Sequence, residues 1–197
     1  MIFSLFLKGG LVMWPMLIVS VITLTVVIER FLFLFRDKKL RQPRIVESIL
    51  TEVESGHIEQ AILLGEKSHD FIVEILVYGL RHRRSSLANA LLQAANAQLK
   101  NFSRGLAVLD TVITLAPLLG LFGTVTGMIH AFGLLGNNEL EAPTVITGGI
   151  AQALIATACG LAVAIIALVP FNYLNARLEE ARHEIEDVTT HLELILK

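Results

Sequence analysis

The sequence predicts an all-α integral membrane protein with three transmembrane helices and a helical cytoplasmic domain. Two observations predict this class. Hydrophobic residues make up 54% of the 197 residues, a high share for a soluble domain. Three long stretches, 9–28, 111–138 and 142–176, contain no Asp, Glu, Lys or Arg, and about 20 such residues are enough to cross a bilayer. No stretch shows the alternation that is typical of strands.

The order of these stretches predicts the organisation of the chain. The first stretch is interpreted as a retained helix and not as a signal peptide. A signal peptide begins with a strongly basic region, whereas Lys8 is the one basic residue before this stretch, and the charged pair Glu29 and Arg30 ends it. The predicted segments are an N-terminal segment with the first transmembrane helix (1–35), a cytoplasmic helical domain (36–105), the second transmembrane helix (106–135), a short outer loop (136–145), the third transmembrane helix (146–173) and a cytoplasmic C-terminal helix (174–197).

The basic residues predict the orientation. Lys and Arg crowd the end of the first stretch and precede the second, whereas the short loop before the third stretch has Glu139 and Glu141 but no basic residue. Because basic residues are retained on the cytoplasmic side, the N-terminus and this loop are expected outside. The middle segment and the C-terminus are expected in the cytoplasm.

The cytoplasmic parts show helical spacing. Residues 45–53, 58–64, 71–80 and 88–102 each present apolar positions three or four apart, and the last of these stripes is expected to run directly into the second span. From Leu174 to Ile195 the apolar positions alternate steps of four and three, which is typical of a coiled-coil seam. The third span is therefore expected to continue into the cytoplasm and pack there on the helices that precede the second span.

Small residues and prolines mark the second and third spans as parts of an assembly. Small residues let helix backbones approach closely in membranes, and a proline frees a carbonyl and permits a bend. The candidate packing and shape positions are Pro117, Gly120, Gly123, Gly127, Gly160 and Pro170. A helix that only anchored a protein in lipid would need none of them.

An enzyme is not expected. The six histidines are scattered, no metal-ligand spacing, phosphate-binding loop or nucleophile–base arrangement is present, and neither a metal nor another cofactor is expected. The net charge of −2 gives no basic field for nucleic acid. Cys159, the only cysteine, cannot form an intrachain disulfide.

Two motifs carry a family resemblance. The stretch 116–129, APLLGLFGTVTGMI, resembles the second-span signature of the ExbB/TolQ/MotA proton-channel family, and 149–165, GIAQALIATACGLAVAI, resembles its third-span signature. The order of the spans and the large insert after the first also match. Three spans, and not four, favour the ExbB/TolQ branch.

The resemblance implies a ring in the bacterial inner membrane, a homo-oligomer and by analogy a pentamer, with the outer loop in the periplasm. It also implies an ExbD- or TolR-like single-span partner, a dimer whose aspartate faces the ring, and a TonB- or TolA-like protein beyond it. Proton flow would drive work in the periplasm or at the outer membrane. The alternative is a membrane scaffold that conducts nothing.

By resemblance, Thr124, Thr157 and Gln152 are the candidate pore-lining residues of the proton pathway. The bland interpretation of the threonines is that each hydroxyl bonds its own helix one turn back. Gln152 stands where the family usually has glutamate; an amide can hold water but cannot titrate. The absence of a carboxylate at residue 152 supports the scaffold alternative.

His130 and Asp110 are candidate relays because they are ionisable residues in or near the second span. The alternative for His130 is an ordinary solvated position near the outer membrane–water interface. Asp110, near the inner end, is an ion exit, a partner for Arg104, or a side chain that reaches the interface.

Overall fold

A computed structural model describes residue 6 and residues 9–135 and 142–196 of the chain. The elements with described bounds are helices: α1 (Met13–Leu40), α2 (Pro43–Glu54), α3 (Ile58–Gly65), α4 (Phe71–Ser103), α5 (Leu106–Leu135) and α6 (Ala142–Ile195). The all-α class is confirmed over this part of the chain. Three helical stretches are long and apolar enough to cross a membrane, as expected.

The last helix begins four residues before the predicted start of the third span. Residues 136–141 lie outside the described residues, and α6 already begins at Ala142. The far end of α6 agrees with the prediction, because the helix continues without a break from the third span to Ile195.

The described chain divides into two compact units. The first, here called the membrane unit, comprises Met1–Glu29 and Gly105–Tyr173, and the second, here called the hairpin unit, comprises Arg30–Arg104 and Leu174–Lys197. In the membrane unit, Met16 of α1 packs with Val112 and Ala116 of α5 and with Ala164 and Ala167 of α6. Many other large apolar side chains of these helices are exposed, among them Leu118, Phe122 and Leu154, as expected for helices that meet lipid.

The two prolines named as shape positions lie inside helices. Pro117 is in α5 and Pro170 is in α6, and neither ends its helix. A proline has no N–H for the carbonyl four residues earlier. The carbonyls of Ile113 and Ile166 are therefore the ones that lose an intrahelical hydrogen bond.

The hairpin unit takes its name from α4, which folds back on itself. Ser86 has extended backbone angles inside the helix (φ −168°, ψ 106°). The side chains of Gln98 and Glu74 are hydrogen-bonded at 2.8 Å, although 24 residues of straight helix would hold them about 36 Å apart. Residues 71–85 and 87–103 are therefore two antiparallel arms, in agreement with the two separate helical stripes in the sequence.

A buried carboxylate joins several segments of the hairpin unit. The Asp70 side chain is fully buried, caps α4 by accepting from the Ile72 N–H at 2.9 Å, and also accepts from the Gln42 N–H at 2.5 Å. Arg41 donates to the same carboxylate at 2.8 Å and to Glu184 of α6. This charged network fixes the end of α1 and the start of α4 to the second half of α6.

A buried arginine closes the other end of α4. Arg30 is only 3% exposed and donates to the Asn101 carbonyl at 2.9 Å, one of the last four carbonyls of α4 that have no partner within the helix. Its guanidinium also lies 5.0 Å from the Phe33 ring centroid. One of the four terminal carbonyls of α4 thereby accepts a hydrogen bond from a buried side chain.

The connection from α4 to α5 differs from the expected continuous helix. Gly105 has φ +81°, a left-handed conformation that only glycine adopts at little cost, so the helix is interrupted before Leu106. The last segment of α6 buries one apolar face within the hairpin unit, which is consistent with the coiled-coil prediction. Five of its seven apolar positions are buried: Leu174, Leu178, Ala181, Ile185 and Leu192.

Candidate functional site

The two spans that carry the family motifs meet along a row of small residues, here called the small-residue seam. Every member is buried. From α5 the seam takes Ala116, Gly120, Gly123, Gly127 and Ala131, and from α6 it takes Gly149, Ala153, Ala156, Gly160 and Ala164. The spacing of three and four keeps each row on one helix face.

The seam brings backbone against backbone. A Cβ atom added to Gly160 would lie 2.5 Å from the Ala116 carbonyl oxygen and 3.1 Å from the Gly120 Cα. A Cβ atom at Gly127 would lie 3.2 Å from the Gly149 carbonyl oxygen, and one at Gly123 would overlap the Ala156 side chain. The prediction that Gly120, Gly123, Gly127 and Gly160 are packing positions is consistent with this geometry, which places each of them at the α5–α6 contact.

The two candidate threonines bond consecutive carbonyls of α5. The Thr157 hydroxyl of α6 donates across the seam to the Gly120 carbonyl at 3.2 Å. The Thr124 hydroxyl donates within α5 to the Leu121 carbonyl at 2.6 Å. Both side chains are half-buried. The structure therefore brings these two hydroxyls to one turn of α5, one turn after Pro117.

This arrangement gives the hydroxyls two different roles within one chain. Thr124 satisfies its donor on its own helix, as the bland interpretation expects. Thr157 instead ties α6 to α5. Each hydroxyl oxygen keeps lone pairs that can accept a hydrogen bond from water or from a protonated carboxyl group. The pair can order polar groups in a low-dielectric setting without a buried charge.

Gln152 lies on another flank of α6. It comes five residues before Thr157, which is about 140° around a helix, and its amide lies against Gly10 at the start of the first span. Gly10 has φ +75°, and a Cβ atom there would overlap the amide nitrogen of Gln152. The structure thus brings Thr124 and Thr157 together but places Gln152 beside the first span. Sequence reasoning did not find Gly10, although its place in the Gly9-Gly10 pair was a signal.

The two relay candidates occupy different faces of α5. His130 is exposed and follows Thr124 by six residues, about 120° around the helix, so the two do not share a face. Asp110 is exposed as well, and it precedes Thr124 by a spacing that returns to nearly the same face. Among the described residues, no group of three His, Cys, Asp or Glu side chains could hold a metal ion.

Comparison with known proteins decides the family. The family model described as MotA/TolQ/ExbB proton channel family matches residues 67–187. The chain belongs to this family. The match covers both arms of α4, all of α5 and α6 as far as Asp187.

Individual relatives agree with the assignment. A Synechocystis sp. protein described as ExbB-like is 35% identical, with 98% of this chain and 78% of the relative covered. The biopolymer transport protein ExbB of Neisseria meningitidis is 32% identical over 81% of this chain and 79% of its own. The Tol-Pal system protein TolQ of Haemophilus influenzae is 36% identical over 52% of this chain and 47% of its own. The family resemblance read from the two motifs is confirmed.

Proposed function

We propose that this chain is the ring-forming subunit of a proton-driven energy transducer in the bacterial inner membrane. Several copies, a pentamer by family analogy, surround a single-span partner of the ExbD or TolR kind, itself a dimer. Protons that enter from the periplasm bind the partner's membrane carboxylate beside the ring. The resulting movement of the partner performs work in the periplasm or at the outer membrane, through a TonB- or TolA-like protein.

The observation that carries the proposal is the hydroxyl pair on the turn of α5 that follows Pro117. Thr157 and Thr124 bond the adjacent carbonyls of Gly120 and Leu121, on helices that the family model covers. A carboxylic acid on a partner helix needs neutral hydrogen-bonding groups when it enters a membrane assembly. Two ordered hydroxyls supply such groups and leave the titrating carboxylate to the partner.

Gln152 enters the proposal in a supporting role. Its amide can hold a water molecule or a backbone group by hydrogen bonding, but it cannot take up or release a proton. Its place against Gly10 favours an entrance or supporting position at the first span. The titrating steps would then use the partner's carboxylate and not residue 152.

The test is Thr157→Val, which keeps the shape of the side chain and removes the hydroxyl. The control is Thr126→Val, because the Thr126 hydroxyl bonds only the Phe122 and Gly123 carbonyls of its own helix. Each variant is produced in the organism from which the protein comes, together with the native partner protein. Membrane vesicles from these cells, loaded with a pH-sensitive dye, receive an external acid pulse, and intact-complex mass spectrometry checks assembly.

The expected result is a partner-dependent entry of protons that Thr157→Val abolishes and Thr126→Val preserves, with normal assembly in both. Full proton entry in an assembled Thr157→Val complex would exclude the hydroxyl from the path. A wild-type complex that assembles with its partner but admits no protons would contradict the transducer proposal and favour the non-conducting scaffold.

A further inference from the structure

One face of α5 combines a carboxylate with hydroxyl groups. Steps of four and three residues connect its members, so they stay on one helix face. We call this face the Asp110 stripe; its members are Asp110, Thr114, Pro117, Leu121, Thr124 and Met128. Asp110 and Thr124 are 14 residues apart, which corresponds to about 21 Å along the helix and about 40° around it.

The rest of the membrane unit does not cover this stripe. Asp110, Thr114 and Leu121 are exposed, and the other three members are half-buried. The neighbouring exposed face of α5 is different, because it carries the large apolar residues Leu115, Leu118, Phe122 and Ile129. Large apolar side chains suit lipid, whereas a carboxylate within a span faces an assembly interior or water. The Asp110 stripe is thus the exposed face of α5 that suits a polar interior.

Asp110 is also chemically unusual for its location. It is the only Asp or Glu in α5 and in the described part of α6 before Glu179. The hydroxyl of Thr114, one turn along the stripe, bonds the Asp110 backbone carbonyl at 3.0 Å. The described part of the membrane unit contains no Lys or Arg that could pair with this carboxylate.

We propose that Asp110 receives protons at the inner end of the path and releases them to water on that side. The inference rests on the proposed function, since the donor is the protonated carboxyl group of the single-span partner. Because Asp110 lies about 21 Å along the helix from Thr124, water molecules carry the proton between the two groups. The O–H bond of the partner's carboxyl group breaks as a water molecule accepts its proton, and a new O–H bond forms on the Asp110 carboxylate as the last water molecule of the chain donates one. Asp110 then gives the proton to water and becomes a carboxylate again.

The test uses the position of the stripe as well as the residue. In membrane vesicles that contain the complete complex, Asp110→Asn should slow dye-reported proton entry by about tenfold or more, while Asp110→Glu should retain it. Into Asp110→Asn, a new carboxylate is then introduced at one of two neighbouring positions. Thr114→Asp lies on the stripe, and Thr111→Asp lies about 100° from Asp110.

The expected result is that Thr114→Asp restores proton entry in the Asp110→Asn background and that Thr111→Asp does not. Wild-type rates in an assembled Asp110→Asn complex would overturn the proposal, as would equal rescue from both positions or loss of entry in Asp110→Glu. The Thr157→Val experiment distinguishes failure of the proposed function from failure of the Asp110 exit site. If the wild type conducts and Thr157→Val does not, failure at Asp110 refutes only the exit site.

Discussion

The closest approach of the small-residue seam gives a quantitative test of the fold. In Gly160→Ala, the new Cβ would lie 2.5 Å from the Ala116 carbonyl oxygen, about 0.9 Å inside ordinary van der Waals contact, and 3.2 Å from the Gly120 nitrogen. These are backbone atoms of a helix, so no side chain can rotate away. The two helices must separate locally, and overpacking of this kind costs about 1–3 kcal/mol.

A matched control lies on the same helix. Gly148 has no atom within 4 Å of its would-be Cβ, so Gly148→Ala brings only the higher helix propensity of alanine, worth up to about 1 kcal/mol. For a chain of this size, 1 kcal/mol shifts the melting temperature by about 2–4 °C. Gly160→Ala should therefore melt roughly 2–12 °C below the wild type, and Gly148→Ala should melt at or slightly above it.

The assay is thermal unfolding of the purified complex in mild detergent. A fluorogenic maleimide follows exposure of Cys159, the only thiol in the chain, and the starting reactivity of both variants must match the wild type. Equal melting temperatures for Gly160→Ala and Gly148→Ala would refute the reasoning. Such a result would mean that α5 and α6 do not approach backbone to backbone at this point.

Two further predictions concern the hairpin unit and assembly. Asp70→Ala removes the cap of α4, one of the two carboxylates that bind Arg41 and the acceptor of the Gln42 N–H, so it should destabilise the hairpin unit by about 1–3 kcal/mol, whereas Asp187→Ala at an exposed position should change stability by less than about 0.5 kcal/mol. Hydrogen exchange of α4 amides measures both, and equal protection would contradict the network. Gly123→Leu forces a side chain onto Ala156 and should abolish the assembled complex in intact mass spectra. The control Gly133→Leu places its side chain in open space and should leave assembly unchanged. Intact rings of Gly123→Leu would show that the small-residue seam tolerates a large side chain.

The sequence was sufficient for most of the helices because their signals are local, although it did not predict the interruption at Gly105. Long uncharged stretches require helices in lipid, where each backbone group must be satisfied within the segment. The steps of four and three after Leu174 likewise predicted one buried face, and α6 carries that face to Leu192. The fold back at Ser86 was implied by two separate stripes, although no glycine or proline marks the turn.

The contacts that fix the hairpin unit could not be predicted, because they join residues far apart in the chain. In the sequence alone, Asp70 is an ordinary candidate for the cap of α4. Its bond to Arg41 could not be predicted, because it depends on where α1 ends in the folded chain. In the sequence alone, Arg30 is one of several basic residues that follow the first span. Only the folded chain shows that it is buried and that it closes the last turn of α4 at Asn101.

The candidate site shows the same division between local and distant information. The family motifs named Thr124, Thr157 and Gln152 together, yet the five-residue step from Gln152 to Thr157 already places them on different flanks of one helix. Thr157 turns to the seam and Gln152 turns to Gly10. With neutral groups at all three positions, the described second and third spans have a single carboxylate, at Asp110, near one end. In the proposed mechanism this chain orders and guides the proton, and the partner supplies the carboxylate that carries it through the middle of the membrane. The distribution of charge in the two spans is consistent with that two-component arrangement.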